Sequence, residues 1–372
     1  MVKPMIEEHQ PLERGQALAT NYVRRYYLYF TASIILLALA LLLGISLGSI
    51  NISPTIVLRI IFQKFLPGSL FEISSETSRS LDIDNVVIWS IRAPRVAVAA
   101  LVGAGLSIAG AQMQGLFKNP LASPDIVGTS SGGAFGAVLA IALGFATRSL
   151  FYLPIFAFIG AVVSLFVVYT IATQRGRTPV ATLLLAGVVC TALIGAASSF
   201  VITLKFVSYQ VAQEILFWLL GGLDSRSWIH VWMVLPGTAI GLLISLIFSR
   251  DLDLMLLGEE SAASLGVEVE QVKRIIITEV ALITGAAVAV SGVVGFVGLV
   301  IPHIVRILIG PSHTRLILGS AITGASFLVL ADLVARTLIR PEEIRLGIIT
   351  AAFGAPFFLY LLMRHRREAL TL

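Results

Sequence analysis

Few residues of this chain carry chemistry beyond packing, and many of them share one stretch. LMLLGEESAASLGVEVEQVKR, residues 254–274, places Glu259, Glu260, Glu268, Glu270, Lys273 and Arg274 between two long apolar runs. Gly258 and Gly266 punctuate a short amphipathic helix over EESAASL. Glu259 and Glu260 fall in its first turn, where the helix dipole favours carboxylates, and Ala262 and Leu265 share one face. Such a helix lies on lipid or receives a protein. Anionic lipid prefers Lys and Arg on the polar face, so the acidic turn favours a protein partner. Either the Glu259/Glu260 turn or the Ala262/Leu265 stripe can be the face it meets.

Arg92 and Arg95 in WSIRAPRVAV flank a proline at the start of another apolar run. They read either as interfacial snorkelling or as two fixed cations for a partner's carboxylates, which guanidinium forks hold in defined geometry. In FKNPLASPDIVGTSSGG, residues 117–133, Pro120 and Pro124 forbid one continuous helix. The segment is a plain hairpin or a constriction to which Asn119 and Leu121 contribute. TQRGRTPVATLLLAG, residues 173–187, is a similar tight turn. Asp332 and Arg336, four apart, can form an ordinary ion pair on one helix face.

Catalytic patterns are thin. His303, Ser130 and Asp332 have no supporting motif. None of the five lysines follows a glycine, so the Gly-Lys-Ser/Thr core of a phosphate-binding loop is absent. The single cysteine, Cys190, lies in the apolar run LLLAGVVCTALIG, offers no disulfide or metal-ligand spacing, and reads as a small hydrophobe facing other helices.

The elements that must position these residues are membrane spans. The chain is 57% hydrophobic and 13% charged, with mean hydropathy +0.94, against about a quarter charged in soluble domains. Basic residues at span ends rather than on one face exclude nucleic-acid binding. Ten apolar runs are expected as spans near 28–48, 96–117, 126–146, 150–172, 180–203, 229–248, 275–294, 296–310, 316–335 and 346–363. The fold class is therefore an all-α polytopic membrane protein with about ten transmembrane helices. A single transmembrane domain occupies residues 26–365, between tails at 1–25 and 366–372. The N-terminus is mixed-charge for too long to be a signal peptide, so the first run stays as a span. The positive-inside bias puts both termini and the 249–274 loop on the inner side. Glycine-rich runs such as LVGAGLSIAGAQMQG let helix backbones approach closely. Residues 103–128 and 285–310 echo one another, each with a Gly/Ala-rich span before a proline-broken segment, as in transporter repeats.

On IRAPRVAVAALVGAGLSIAGAQMQGLFKNPLASPDIVG, LLLAGVV, FWLLGGL, GEESAASLGV, GFVGLVIPHIVR, GASFLVLADLVAR and EEIRLGIITAAFGAPFFLYLL, in this order over about residues 30–365, the chain resembles the iron-chelate transport permease family. These are the permease subunits of type II ABC importers for vitamin B12, haem and ferric siderophores. The resemblance implies that fold, a second permease subunit (a homodimer or a close paralogue) with the path at the interface, and an inner-membrane location. It implies a cytoplasmic ABC ATPase docked on Gly258, Glu259, Glu260, Ala262, Leu265 and Gly266. It further implies a periplasmic or lipid-anchored substrate-binding protein received by Arg92, Arg95 and Arg336, and an inner gate at Asn119, Leu121, Pro179 and Val180. Pro179 and Val180 stand where small hydroxyl residues are common, and residues 1–25 and 66–84 extend the family core. The implied chain is no enzyme and binds no cofactor, ATP and Mg belonging to the partner ATPase. The cargo is an iron chelate (ferric siderophore or haem) or cobalamin, carried by ATP-driven alternating access.

The competing reading is an ion-coupled carrier or membrane-embedded enzyme working without an ATPase. A carrier keeps ionisable side chains on its path, and the candidates are Glu279, His303 and Asp332, each expected near a span boundary.

Overall fold

The computed structural model describes residues 10–48, 50–65, 83–204 and 208–370. Residues 1–9 of the N-terminal extension and 66–82 of the 66–84 segment lie outside the described residues, as do the last two of the C-terminal tail. Among the described residues there are no strands, only the isolated bridges Gln174 to Arg177 and Ile339 to Glu342.

The helices are α1 (Gln10–Ser46), α2 (Pro54–Phe65), α3 (Ile83–Leu116), α4 (Thr129–Ala142), α5 (Tyr152–Ala172), α6 (Val180–Thr203) and α7 (Tyr209–Leu219). They continue as α8 (Trp228–Ile247), α9 (Ser249–Met255), α10 (Glu259–Ser264), α11 (Val269–Ser291), α12 (Val297–Ile309), α13 (His313–Thr337) and α14 (Leu346–Leu370). Within the described residues, seven helices are long and apolar enough to cross a membrane: α3, α5, α6, α8, α11, α13 and the Arg24–Ser46 part of α1. Three shorter apolar helices, Thr129–Ala142, Val297–Ile309 and Leu346–Tyr360, complete the ten expected spans. The chain is a multi-pass membrane protein.

Burial orders the spans. In α3 and α11, 78% of the most apolar window is buried inside the protein, against 22% in α1 and α6. The central helices approach through small residues. The Gly110 Cα lies against the Gly298 carbonyl, and Gly132 against Gly160, so that a Cβ at either place would overlap a neighbouring backbone. Cys190 is buried, as expected of a small hydrophobe between helices.

Pro94 has no N–H to offer the Ser90 carbonyl, and the turn before it, Val87–Arg92, winds as a π-helix. Pro302 does not break its segment, contrary to the expected echo. It sits inside α12, and the break falls earlier, over Gly292 to Phe296, where both of these residues have positive φ (67° and 68°). A membrane helix tolerates proline where neighbouring helices cover the freed carbonyl, and α12 packs against α3 and α13. The amphipathic helices α2 and α7 were not among the expected elements, because they are too short and too polar to register as spans.

Candidate functional sites on the two faces of the bundle

The acidic loop forms α9 and α10 at the end of α8. Gly258 enters α10 with φ 124° and Gly266 leaves it with φ 90°, conformations that a side chain at either position would strain. The helix ends at Ser264, one residue earlier than the spacing implies, and this separates the expected stripe. Ala262 is fully buried, while Leu265, now the C-cap, is 59% exposed. Leu257, Glu260 and Leu265 therefore stand out from the surface together, and Ala262 is the seat on which the helix rests.

The two glutamates of the first turn also part. Both are exposed, but Glu259 Oε2 accepts a hydrogen bond from Lys273 Nζ at 2.8 Å. Lys273 is buried at the base of α11 and bridges to Glu270 Oε1 at 3.1 Å. Its Nζ also lies 3.4 Å from the Thr178 carbonyl, and Thr178 N–H donates to Glu270 Oε2 at 3.1 Å. Thr178 closes the turn before α6. Arg175 and Gly176 take positive φ there, the Thr173 and Thr178 hydroxyls pair at 3.0 Å, Pro179 is the N-cap and Val180 the first helical residue. The cluster thus ties α10 to the turn that holds Pro179 and Val180.

Asn119 and Leu121 lie at the same end of the bundle, after α3. The Asn119 side chain accepts from Leu121 N–H at 2.9 Å and leaves Leu121 40% exposed. The 3₁₀ turn Pro124–Val127 that follows packs on α6, its Ile126 carbonyl against Gly187. On this face, too, Asp253 of α9 accepts from His313 N–H (2.9 Å) and Nδ1 (2.6 Å) at the start of α13. Burial alone would raise the Asp253 carboxyl pKa, but these hydrogen bonds outweigh burial and hold it below the ordinary value.

At the opposite end the three expected arginines are all turned inward. Arg92 is 5% exposed and donates to the carbonyls of Ile45, Ser46 and Ile50, closing the end of α1. Arg336 is bonded to the Gly44 carbonyl, and its expected pair with Asp332 is present at 3.4 Å. Arg95, its side chain 12% exposed, grips buried Asp332 at 2.8 Å and half-exposed Glu343 at 2.9 Å. Arg345 pairs with Asp224 at 3.0 Å and lies over the Phe217 ring. Arg226, in the loop before α8, donates to the Val290 carbonyl.

Inside the bundle, Glu279 lies near the middle of α11 and not at a boundary. It is 2% exposed, and its Oε1 accepts from Ser245 Oγ (2.6 Å) and Gln112 Nε2 (3.1 Å). Three helices of the same chain enclose it, so it lines no open path within this chain.

The ties made by Lys273, Thr178, Glu343 and Asp224 escape sequence reasoning. The only local signal was the i,i+3 spacing of Glu270 and Lys273. The other partners lie 14 residues apart for Lys273 and Glu259, 92 and 95 for the ties to Thr178, 121 for Asp224 and Arg345, and 237 or more in the Arg95 cluster.

Against this geometry, comparison with known proteins is consistent. Residues 36–364 match the FecCD transport family. The chain is 45% identical over 287 residues to the cobalamin import system permease protein BtuC of Halobacterium salinarum, covering 77% of this chain and 75% of that one. It is 41% identical over 290 residues to the hemin transport system permease protein HmuU of Yersinia pestis, covering 76% and 84%. A solved inward-facing conformation described as a metal-chelate type ABC transporter superimposes with a TM-score of 0.78 at 30% identity, over 91% of this chain and 99% of that one. The ten-span bundle, its small-residue contacts and these matches agree: the chain is a transport permease and a member of the FecCD transport family.

Proposed function

We propose that this chain is the transmembrane subunit of an ABC importer in the inner membrane. It moves a bulky metal chelate inward, either an iron chelate (ferric siderophore or haem) or cobalamin, by ATP-driven alternating access. The observation that carries this reading is α10, a knob whose exposed Leu257, Glu260 and Leu265 surround a buried Ala262 seat. A six-residue helix held by two positive-φ glycines at the end of a hydrophobic bundle is a docking element. A separate ATPase, holding ATP and Mg, is its partner of choice, because this chain carries no phosphate-binding loop.

On this reading the α10 face and both termini are cytoplasmic, and Asn119, Leu121, Pro179 and Val180 form the gate at the inner mouth. A second permease subunit, identical or closely related, covers the poorly buried side of α6, with membrane lipid around the remainder. The opposite face receives a substrate-binding protein. Arg95 is its best-placed guanidinium, since a partner carboxylate can displace half-exposed Glu343 from it, whereas Arg92 and Arg336 brace the rim. The relatives named for cobalamin and hemin, and the metal-chelate type of the solved transporter, support the cargo class.

The test is reconstitution of the permease with its ATPase and binding protein in vesicles. Labelled cobalamin, haem and a ferric hydroxamate are offered in turn, with and without ATP. ATP-dependent accumulation of one of them is expected. Accumulation that is equal without the ATPase subunit contradicts the proposal.

A further inference from the structure

Lys273 stands where three elements meet. Its ammonium touches a carboxylate of α10 (Glu259, 2.8 Å), a carboxylate of its own α11 (Glu270, 3.1 Å) and, at 3.4 Å, the carbonyl of Thr178. Glu270 returns to the same turn through the Thr178 amide at 3.1 Å, so both backbone polar groups of Thr178 are held by this one ion cluster. Thr178 is 2% exposed, as is expected of a fixed point and not of a loop tip, and the next two residues open α6. A buried ammonium is tolerated only with its partners in place. Displacement of α10 must therefore carry Lys273 with it or break a pair whose loss the Thr178 backbone registers.

We infer that Lys273 is a positioning residue that transmits movement of α10 to the turn at the start of α6, so that the docking helix and the gate turn shift as one unit. The inference rests on the reading that α10 receives the ATPase. An ion cluster that links two elements is the kind of contact through which coupling free energy passes.

The experiment compares wild type, Lys273→Met, Lys273→Arg and Glu270→Ala in the reconstituted transporter. It reads ATPase co-purification, ATP hydrolysis and the amount of substrate moved per ATP. In Lys273→Met the ATPase stays bound and hydrolyses ATP, while substrate moved per ATP falls by about fivefold or more, and Lys273→Arg recovers most of the loss. A merely structural lysine would lower the yield of complex without changing this ratio. Should Lys273→Met fail to assemble, Glu270→Ala decides, because it frees the Thr178 amide while leaving the Lys273–Glu259 pair to α10 in place, and a fall in the ratio is again expected. An unchanged ratio in the assembled variants overturns the proposal. Failure of the docking reading has a different signature, retention of the ATPase by variants of the exposed α10 side chains, and it overturns the inference as well.

Discussion

Arg95 Nη2 lies 2.8 Å from Asp332 Oδ1, joining α3, just past its π-helical turn, to the last turns of α13 across 237 residues of sequence, with Asp332 1% exposed. Removing Arg95 leaves this buried carboxylate with only the longer contact to Arg336, at 3.4 Å. Arg95→Ala should destabilise the protein by about 3–5 kcal/mol. Thermal unfolding in detergent measures the loss, and an unchanged melting temperature in Arg95→Ala would refute the pairing argument.

Glu343 is the exchangeable partner of Arg95 in the account of binding-protein docking. Glu343→Ala should leave the fold intact and tighten association of the binding protein at low salt, because the guanidinium is then free for a partner carboxylate. Arg95→Lys should weaken association, since an ammonium cannot form the bidentate fork. Titration of labelled binding protein onto vesicles measures both. Indifference to either change would remove Arg95 from the docking surface.

Glu279, enclosed by Gln112 and Ser245, separates the ATP-driven reading from the ion-coupled one. Glu279→Gln keeps an acceptor for both neighbours and removes the titrating proton, so ATP-dependent uptake should persist. Ser245→Ala should cost about 1–3 kcal/mol of stability by stripping a hydrogen bond from a buried polar group. Loss of uptake in Glu279→Gln, with ATPase binding and hydrolysis intact, would put a titrating carboxylate on the transport path.

Asp253 fixes α9 to the start of α13 through two hydrogen bonds from His313. Its folded pKa lies below the ordinary carboxylate value. The stability it contributes is therefore present in full above its unfolded pKa of about 3.9 and is lost as pH falls through the folded value. Asp253→Asn should melt earlier than wild type at neutral pH, with the gap narrowing in acid. A gap that widens in acid would contradict the sign of the shift.

The spans were legible in the sequence because their signal is local: an apolar run long enough to cross a bilayer registers without knowledge of what it packs against. The run at 180–203 coincides with α6 to the residue. The 254–274 stretch was legible as a short helix for the same reason, since its punctuating glycines, Gly258 and Gly266, and its first-turn glutamates are local signals. The division of labour within it was not. Whether Glu259 faces a partner or Lys273, and whether Leu265 shares a face with Ala262, depends on where the helix stops and on a turn 95 residues away. Arg92 and Arg95 were legible as paired cations, but their acceptors lie on α1 and α13, beyond any spacing rule. Glu279 was placed at a boundary because α11 extends several residues before its apolar run begins.

The central claim is that ATP energy enters this protein through the exposed side chains of α10. Its most direct test is the affinity of the detergent-solubilised permease for its ATPase after Glu260→Arg with Leu265→Asp, two exposed changes that leave the Lys273 cluster untouched. A loss of about 30-fold in affinity, near 2 kcal/mol, is expected, with the permease folded and uptake abolished. Full affinity and undiminished uptake in the double variant would contradict the account.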